Sequence, residues 1–343
     1  MTKFVASILG VVVVLGIMGY VRFRSSMQNF IPNFVETSIP SPTPMPLAEL
    51  TIPYLRARSY TSALGERTKL YDRDSYTAYT TSYVSDGLKV NALLTIPRGD
   101  SRKYPAVVFV HGYIPPTLYV TTEKYVEYVD YLARNGFVVL KIDLRGHGES
   151  EGEAGGAYYS SDYVIDTLNA RAALASSNFV LPDKIGLWGH SMAGNVVMRA
   201  FAAAPAIPAV IVWAGAGHTY QDLLEYRISD QSYRPPSTLA NRSRRRELLR
   251  QTHGDFSPTS TFWKQVAITD YLPDIRGAVE LHHAQDDDVV SVEYSRNLTK
   301  LLAKTTVAHT LYEYPSGGHN ISGVNFGVAM QRTVDFYKKY LTQ

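Results

Sequence analysis

Short apolar runs alternate along the chain with longer segments in which apolar residues recur every three or four positions. The short runs are typical of strands buried on both faces, and the longer segments are typical of amphipathic helices. A polar Ser85-Asp86-Gly87 between two further strand-like runs predicts an early β-hairpin. The predicted strands are residues 76–84, 88–96, 106–110, 137–142, 184–188, 209–212, 278–282 and 307–314, and the predicted helices are residues 122–135, 161–176, 193–203, 292–303 and 324–341. The pattern therefore predicts an α/β fold with a mostly parallel central sheet, an antiparallel amino-terminal hairpin and helices on both faces.

Residues 218–275 interrupt this alternation. They are polar, lie between two predicted core strands, and contain Arg242, Arg244, Arg245 and Arg246. We therefore predict a helical insertion, or lid, over one edge of the sheet. The arginine cluster is typical of a solvated helix face, and the alternative is a face that contacts an acidic substrate or lipid headgroups.

The amino-terminal end contains a long uncharged apolar run, unlike the rest of the chain. Residues 4–21 carry no charge and, at about 1.5 Å per residue in a helix, are long enough to cross a bilayer core. No convincing small-residue cleavage site follows, so we predict an uncleaved anchor; a cleaved signal and a buried core helix are the alternatives. Lys3 precedes the run and Arg22 and Arg24 follow it, so the positive-inside rule gives a near tie for orientation.

A proline-rich stretch at residues 39–46 follows the apolar run and predicts an extended, semi-rigid spacer. The predicted organisation is a transmembrane anchor at residues 1–24, a linker and extension at residues 25–70, and one folded domain at residues 71–343. A spacer behind an anchor suggests a domain held away from a surface. We therefore expect a single-pass membrane protein that contacts the lipid bilayer through residues 4–21 and whose folded domain is extracytoplasmic.

Composition narrows the possible chemistry. The chain has 34 Lys and Arg against 31 Asp and Glu, a balance too even to predict a nucleic-acid-binding face. It has no cysteine, which excludes disulfides, thiolate metal ligands and a cysteine nucleophile. The glycine-rich fingerprints of nucleotide sites are absent from the sequence, so no nucleotide cofactor is predicted.

The strongest chemical signal is Gly189-His190-Ser191-Met192-Ala193-Gly194, where a predicted strand meets a predicted helix. A serine on such a sharp turn stands clear of the sheet, and its flanks must be small because the backbone there is crowded. Gly189 and Ala193 meet that need. Ser191 is therefore the predicted nucleophile, and a helix N-cap serine is the alternative.

A base and its orienting acid follow later in the chain. His319 lies in a glycine-rich loop after the last predicted strand, and Asp286, Asp287 and Asp288 lie in the loop after the preceding strand. Ligands bind at the carboxyl ends of parallel strands, where these loops and the serine turn all lie. We therefore predict His319 as the base and Asp287 as its acid, with Asp286 and Asp288 hydrogen-bonded within their loop.

The predicted oxyanion site consists of the backbone N–H groups of Met192 and Tyr113. Met192 lies at the start of a helix, and Tyr113 follows His111 and Gly112 in the loop after the strand at residues 106–110. Backbone donors do not depend on the side chain, so this prediction rests on position.

Two other groups of histidines are predicted to be structural. His147 lies in the loop at residues 143–150, with no serine in a comparable turn nearby. His282 and His283 are adjacent on a predicted strand and therefore point to opposite faces, which argues against a shared metal ion. No metal site is predicted.

These motifs together resemble the α/β-hydrolase superfamily over about residues 75–343. The chain is most similar to the catalytic domain of the prolyl oligopeptidase family and its small esterase-like relatives. The resemblance implies that Ser191, Asp287 and His319 form a catalytic triad. Ala193, Ala284 and Ser291 depart from the usual family residues, and none of these departures removes a catalytic group. The residues that carry the resemblance are 110–112, 143–150, 189–194, 287–290 and 318–319.

The sequence thus leads us to expect a membrane-anchored serine hydrolase that cleaves a peptide or ester bond through an acyl-enzyme. A prolyl oligopeptidase-like peptidase activity on small-molecule or short-peptide substrates is favoured. A carboxylesterase, an acyltransferase and a non-catalytic binding module are the alternatives. No cofactor, metal or nucleic-acid partner is expected.

Overall fold

A computed structural model describes residues 45–99, 103–155, 157–226, 228 and 240–342, with the side chains of residues 240–243 excepted. The predicted anchor at residues 4–21 lies outside these ranges. Within them, no helix combines the length and apolar character that a membrane span requires. Residues Pro46–Gln343 form one compact unit.

Nine strands in the described part of the chain form a single sheet in the order β1-β2-β3-β5-β4-β6-β7-β8-β9. The pairs β1·β2, β2·β3 and β3·β5 are antiparallel. The remaining pairs, from β5·β4 to β8·β9, are parallel. The predicted mostly parallel sheet with an antiparallel start is confirmed. The strands are β1 Thr68–Asp72, β2 Tyr76–Ser85, β3 Leu88–Pro97, β4 Tyr104–Val110, β5 Val138–Ile142, β6 Val180–His190, β7 Ala209–Trp213, β8 Ala278–Ala284 and β9 Ala308–Tyr314.

Helices cover both faces of the sheet because the buried strands present apolar side chains to both sides. In β4, for example, Val108 and Val110 lie in the core on one face, whereas Val107 and Phe109 lie in the core on the other. The helices are α1 Ile52–Ala57, α2 Val126–Arg134, α3 Asp162–Ala175, α4 Ala193–Ala203, α5 Tyr220–Glu225, α6 Ala240–His253, α7 Thr261–Val266, α8 Glu293–Leu302 and α9 Val324–Leu341. Helices α3, α4 and α8 pack into the first core and helices α2 and α9 into the second.

Two of these helices, α4 and α9, have the predicted bounds, but α2 begins later than predicted. The pattern places its start at residue 122, whereas the structure starts it at Val126. Tyr125, immediately before it, has a φ of 62°, in the left-handed region. An α-helix cannot run through that conformation, so the preceding residues form turns instead.

The chain between β7 and β8 forms the helical insertion that the sequence predicts, with α5, α6, α7 and a short 3-10 helix at Thr269–Asp274. Of the arginines in α6 whose side chains are described, Arg245 pairs with Asp162 at the start of α3. Arg244 and Arg246 are exposed, as expected for a solvated helix face.

The segment before the sheet packs on the same domain. Ile52 and Leu55 of α1 are fully buried in the core that contains α4. The buried guanidinium of Arg199, on α4, donates to the Leu50 carbonyl at 2.8 Å and to the Ser160 carbonyl at 2.6 Å. Arg56 donates to the carbonyl of Ala202 at 2.8 Å. Residues well before position 71, where the folded domain is predicted to begin, therefore contribute to its core.

Candidate active site

Ser191 occupies a sharp turn between β6, which ends at His190, and α4. Its φ of 56° lies in the left-handed region, a strained conformation for a residue with a side chain. The turn is held by a hydrogen bond from the Ser191 N–H to the Trp213 carbonyl at 2.9 Å and by two N–H groups that donate to the Ser191 carbonyl. A Cβ on Gly189 would lie 2.7 Å from the Ala193 carbonyl oxygen. Only glycine fits at that position, which explains the small flanking residue in the motif.

His319 and Asp287, the predicted base and acid, form a hydrogen-bonded pair. The His319 Nδ1 lies 2.8 Å from the Asp287 Oδ2, although 32 residues separate them in the chain. The carboxylate can only accept, so Nδ1 carries the proton and Nε2 is left free to act as a base. The side chain of Asp287 is fully buried and that of His319 is partly exposed.

Several donors fix the Asp287 carboxylate. Its Oδ1 accepts the N–H groups of Val289 and Val290, both at 2.9 Å. Its Oδ2 also lies 3.2 Å from the Nε2 of His283. Burial opposes ionisation of Asp287, but the hydrogen bonds from His283 and His319 outweigh burial and hold its pKa well below the usual range. The carboxylate is therefore charged and immobile at neutral pH.

His283 is a positioning residue that the sequence does not reveal. Its Nε2 contacts the Val290 carbonyl at 2.9 Å as well as Asp287, and both partners can only accept. Nε2 therefore carries the proton, and Nδ1 accepts from the Ser295 hydroxyl at 2.7 Å. The neighbouring His282 contacts the buried Glu280 at 2.8 Å instead, so the two histidines do face opposite sides of β8.

Asp286 and Asp288 have different surroundings from Asp287. Asp286 accepts the N–H groups of Gly317 and Gly318, at 3.2 and 2.8 Å, and thereby ties its loop to the loop that carries His319. Both glycines have positive φ, 127° and 59°, which explains why glycines precede the histidine. Asp288 is exposed. The prediction that Asp286 is hydrogen-bonded within its own loop is wrong, because its two N–H partners lie in the loop of His319. The choice of Asp287 as the acid stays a prediction.

His190 links the two loops that flank Ser191. Its Nε2 lies 2.9 Å from the His319 carbonyl, which can only accept, so Nε2 carries the proton. Its Nδ1 then accepts from the Tyr125 hydroxyl at 2.7 Å, and the same hydroxyl oxygen accepts the Gly112 N–H at 3.0 Å. Burial, followed by the nearby His319, lowers the pKa of His190 to about 3, so the ring is neutral and keeps this tautomer. Neither His190 nor Tyr125 is identified as a functional residue by the motif alone.

This link brings the loop of His319 close to the turn that carries Ser191. The rings of His190 and His319 have centroids 4.6 Å apart, and His190 directly precedes Ser191. Among the described residues, no hydrogen bond joins the Ser191 hydroxyl to the His319 imidazole. Such bonds are commonly long without substrate and shorten when the reacting complex forms.

The loop that carries the predicted oxyanion donor Tyr113 packs directly against the serine turn. A Cβ on Gly112 would lie 2.9 Å from the His190 Nδ1 and 3.1 Å from the Ser191 Cβ. Met192, the other predicted donor, is the N-cap residue of α4, where unpaired N–H groups and the helix dipole favour negative charge.

His111 and His147, in the loops after β4 and β5, are buried and have structural surroundings. The Nε2 of His111 lies 2.9 Å from the Asp143 carbonyl, and burial lowers its pKa to about 3. Burial likewise lowers the pKa of His147 to about 4. Arg145 forms a buried ion pair with Asp166 at 2.6 Å, which fixes the loop to α3.

Comparison with known proteins gives one family match. Residues 102–246 match the family model described as serine aminopeptidase, S33, a stretch that includes Ser191 but not Asp287 or His319. A curated relative, polyketide transferase claH of Penicillium crustosum, is 32% identical over 117 residues. That alignment covers 34% of this chain and 37% of the relative, so it spans only about a third of either protein.

Solved structures share the fold over most of this chain. Acetyl xylan esterase 1 from Thermoanaerobacterium sp. JW/SL YS485 has a TM-score of 0.59 and 17% identity, and the match covers 83% of this chain and 91% of that chain. The acylaminoacyl peptidase of Pyrococcus horikoshii has a TM-score of 0.61 and 18% identity, covering 80% and 44%. The predicted resemblance to the α/β-hydrolase superfamily is confirmed, and the family match together with the fold supports a serine hydrolase.

Proposed function

Starting from a chain that has the α/β-hydrolase fold, we propose that this protein is a serine hydrolase whose nucleophile is Ser191. His319 removes the Ser191 proton as the hydroxyl attacks a substrate carbonyl, and Asp287 holds the imidazole and stabilises its charged form. The N–H groups of Met192 and Tyr113 bind the oxyanion, each contributing about 3 kcal/mol to the transition state. The bond from the carbonyl carbon to the leaving group then breaks, and His319 gives its proton to the departing atom, which leaves the acyl group esterified to Ser191. Water, deprotonated by His319, attacks this ester, and the acid departs as the proton returns to the Ser191 oxygen. No metal or organic cofactor takes part.

The observation that carries this proposal is the buried Asp287 carboxylate that holds His319 at 2.8 Å, with the His319 carbonyl bonded to the residue before Ser191. A purely structural histidine would need no charged partner held by three separate donors. The arrangement fixes one tautomer, the one that presents an unprotonated Nε2 as a base.

For the substrate, we propose a serine-type peptidase that acts on short peptides, as the resemblance to prolyl oligopeptidases favours. A carboxylester hydrolase is the second candidate. The support for this candidate is the extent of the structural matches. The match to this chain covers 91% of acetyl xylan esterase 1 but 44% of the acylaminoacyl peptidase. Hydrolysis rates on p-nitrophenyl esters and on aminoacyl and prolyl amides distinguish the two. Esterase turnover without amide cleavage would overturn the peptidase proposal.

We also propose that residues 4–21 anchor the enzyme in a membrane, with the folded domain on the extracytoplasmic side. Support comes from the uncharged run and the proline-rich stretch that follows it. Added protease should then digest the folded domain on intact cells. Full protection there, with digestion after permeabilisation, would overturn the proposed side.

The catalytic assignment is tested with a fluorophosphonate probe, which labels activated serines covalently. Ser191→Ala should abolish labelling, whereas Ser316→Ala, an exposed serine in the loop of His319, should label like the wild type. Persistent labelling of the Ser191→Ala protein would overturn the assignment. A folded wild-type protein that neither labels nor hydrolyses any substrate of the panel would favour a binding module instead.

A further inference from the structure

A groove of about 510 Å³ lies beside the candidate active site. One wall begins at Ile114, directly after the predicted oxyanion donor Tyr113, and the other begins at Asn320, directly after His319. The groove is therefore formed by the two loops that would hold the reacting carbonyl and the catalytic base, together with the first turns of helices α2 and α9, which follow those loops. None of its lining residues belongs to the insertion between β7 and β8.

Three aromatic side chains line the groove: Tyr125, Tyr128 and Phe326. The ring centroids of Tyr125 and Tyr128 are 5.6 Å apart, and Phe326 meets Tyr128 edge to face at 5.0 Å. The tyrosine hydroxyls are already bonded, that of Tyr125 to His190 and that of Tyr128 to the Asn320 carbonyl at 2.9 Å. The rings are thus held in place, and what they offer a ligand is their apolar faces and edges.

The rim of the groove carries no net charge. Lys124 and Glu127 both line it, both are exposed, and their charges are opposite. The segments that form the two walls also expose large apolar side chains: Leu118 is 68% exposed and Val324 is 88% exposed. Such surroundings favour an apolar ligand and give no strong site for a charged one.

We infer that this groove is the leaving-group subsite and that it takes an aromatic or other planar apolar group; the inference rests on the proposed function. His319 must pass its proton to the leaving atom when the carbonyl bond to it breaks, so the departing group lies on the His319 side. The groove opens on that side, one residue beyond His319. The tilted and edge-on rings there would bind an aryl leaving group through the same kinds of contact that they make with one another.

The test varies the leaving group while the acyl group stays fixed. Benzyl acetate and ethyl acetate release alcohols of similar acidity, so their chemical reactivity is matched. Phe326→Ala should lower kcat/KM for benzyl acetate about 5- to 20-fold, in line with the loss of one aromatic contact, and change that for ethyl acetate less than about 2-fold. If the enzyme cleaves only amides, the benzylamide and ethylamide of one amino acid replace the esters.

Two further variants control for folding and for the aromatic requirement. Val328→Ala changes an exposed residue of the same helix that does not line the groove, and it should leave both rates unchanged. Phe326→Tyr keeps the ring and should restore most of the benzyl preference. If Phe326→Ala does not fold, the wild-type enzyme provides the test, because benzyl alcohol should inhibit ethyl acetate hydrolysis competitively at lower concentration than butanol.

The possible outcomes separate the two proposals. Suppose that the wild type labels with fluorophosphonate and that Phe326→Ala lowers kcat/KM equally for both substrates, or for neither. That result overturns the subsite and leaves the proposed hydrolase activity intact. Equal inhibition by benzyl alcohol and butanol overturns it as well. A wild type that does not label overturns the proposed function itself.

Discussion

The three adjacent carboxylates at residues 286–288 allow one substitution, Asp→Asn, to be made at three positions with very different expected effects. At position 287 the amide oxygen can keep the two N–H bonds from Val289 and Val290, each 2.9 Å long. The amide nitrogen then takes the place of Oδ2, 2.8 Å from the Nδ1 of His319, and presents hydrogens to a nitrogen that already carries one. His319 must therefore adopt the other tautomer, with its proton on the nitrogen that should act as the base.

The loss of the correct tautomer and of the charge that stabilises the imidazolium predicts a fall in kcat of about 10⁴-fold for Asp287→Asn. The alternative amide rotamer restores the histidine contact only by giving up both backbone bonds, so it offers no escape. The change is nearly isosteric, and we expect the free energy of unfolding at neutral pH to fall by only a few kcal/mol, about the strength of the charged hydrogen bonds that are lost.

The neighbouring substitutions serve as controls. Asp286 accepts the Gly317 and Gly318 N–H groups on different oxygens, so Asp286→Asn can keep the shorter bond from Gly318 but loses the longer one from Gly317. We expect less than about a 10-fold loss of activity, because one neutral hydrogen bond away from the reacting atoms is removed. Asp288→Asn changes an exposed side chain and should stay within about 2-fold of the wild type. The assay is steady-state hydrolysis of a p-nitrophenyl ester together with the rate of fluorophosphonate labelling. An Asp287→Asn enzyme with near wild-type turnover, or an Asp288→Asn enzyme without activity, would refute the assigned geometry.

Two other predictions concern stability. Four buried histidines have a pKa that burial lowers to about 3 or about 4: His111, His147, His190 and His218. In the unfolded chain a histidine has a pKa of about 6.5, so below that pH the unfolded state binds more protons than the folded state. The free energy of unfolding therefore has its full value above about pH 6.5. It falls at lower pH by up to about 1.4 kcal/mol per pH unit for each histidine, until the pKa of the folded state is reached. Urea unfolding midpoints between pH 7 and pH 4 check this, and a flat profile would contradict neutral burial. Leu55→Ala should lower the free energy of unfolding by about 2–5 kcal/mol because Leu55 is fully buried in the main core. Tyr54→Ala, at a neighbouring position that is 37% exposed, should lower it less. Equal effects of the two substitutions would show that the segment is not part of the cooperative core.

Much of the fold could be predicted because its signals are local. The apolar runs of the parallel strands, the mostly apolar sequence of α4 and the amphipathic period of α9 depend on nearby residues. The glycines around Ser191 and His319 mark turns that need them. The edge strand β1 was missed because its side chains are mostly exposed and show no alternation. Helix α1 has only six residues with a proline near its start, and it is stabilised by burial against α4 rather than by its own sequence.

The candidate site, like the fold, has residues that the sequence identifies and residues that it does not. Ser191, Asp287 and His319 could be chosen from loop positions after strands, since topology places those loops at one edge of the sheet. The residues that position them could not, because the contact of His190 with the His319 carbonyl spans 129 positions in the chain and that of Tyr125 with His190 spans 65. His283 illustrates the limit: its adjacency to His282 argued correctly against a shared metal, but nothing in the sequence indicates that it supports the acid.

The packing of the amino-terminal segment has a mechanical consequence. Arg199, in the carboxyl-terminal half of the helix that follows Ser191, donates to the Leu50 carbonyl, and Arg56 donates to the carbonyl of Ala202 near the end of the same helix. If the enzyme is held by residues before Pro46, these two hydrogen bonds join the attached segment directly to the helix that follows Ser191. A load on that attachment would then act on α4.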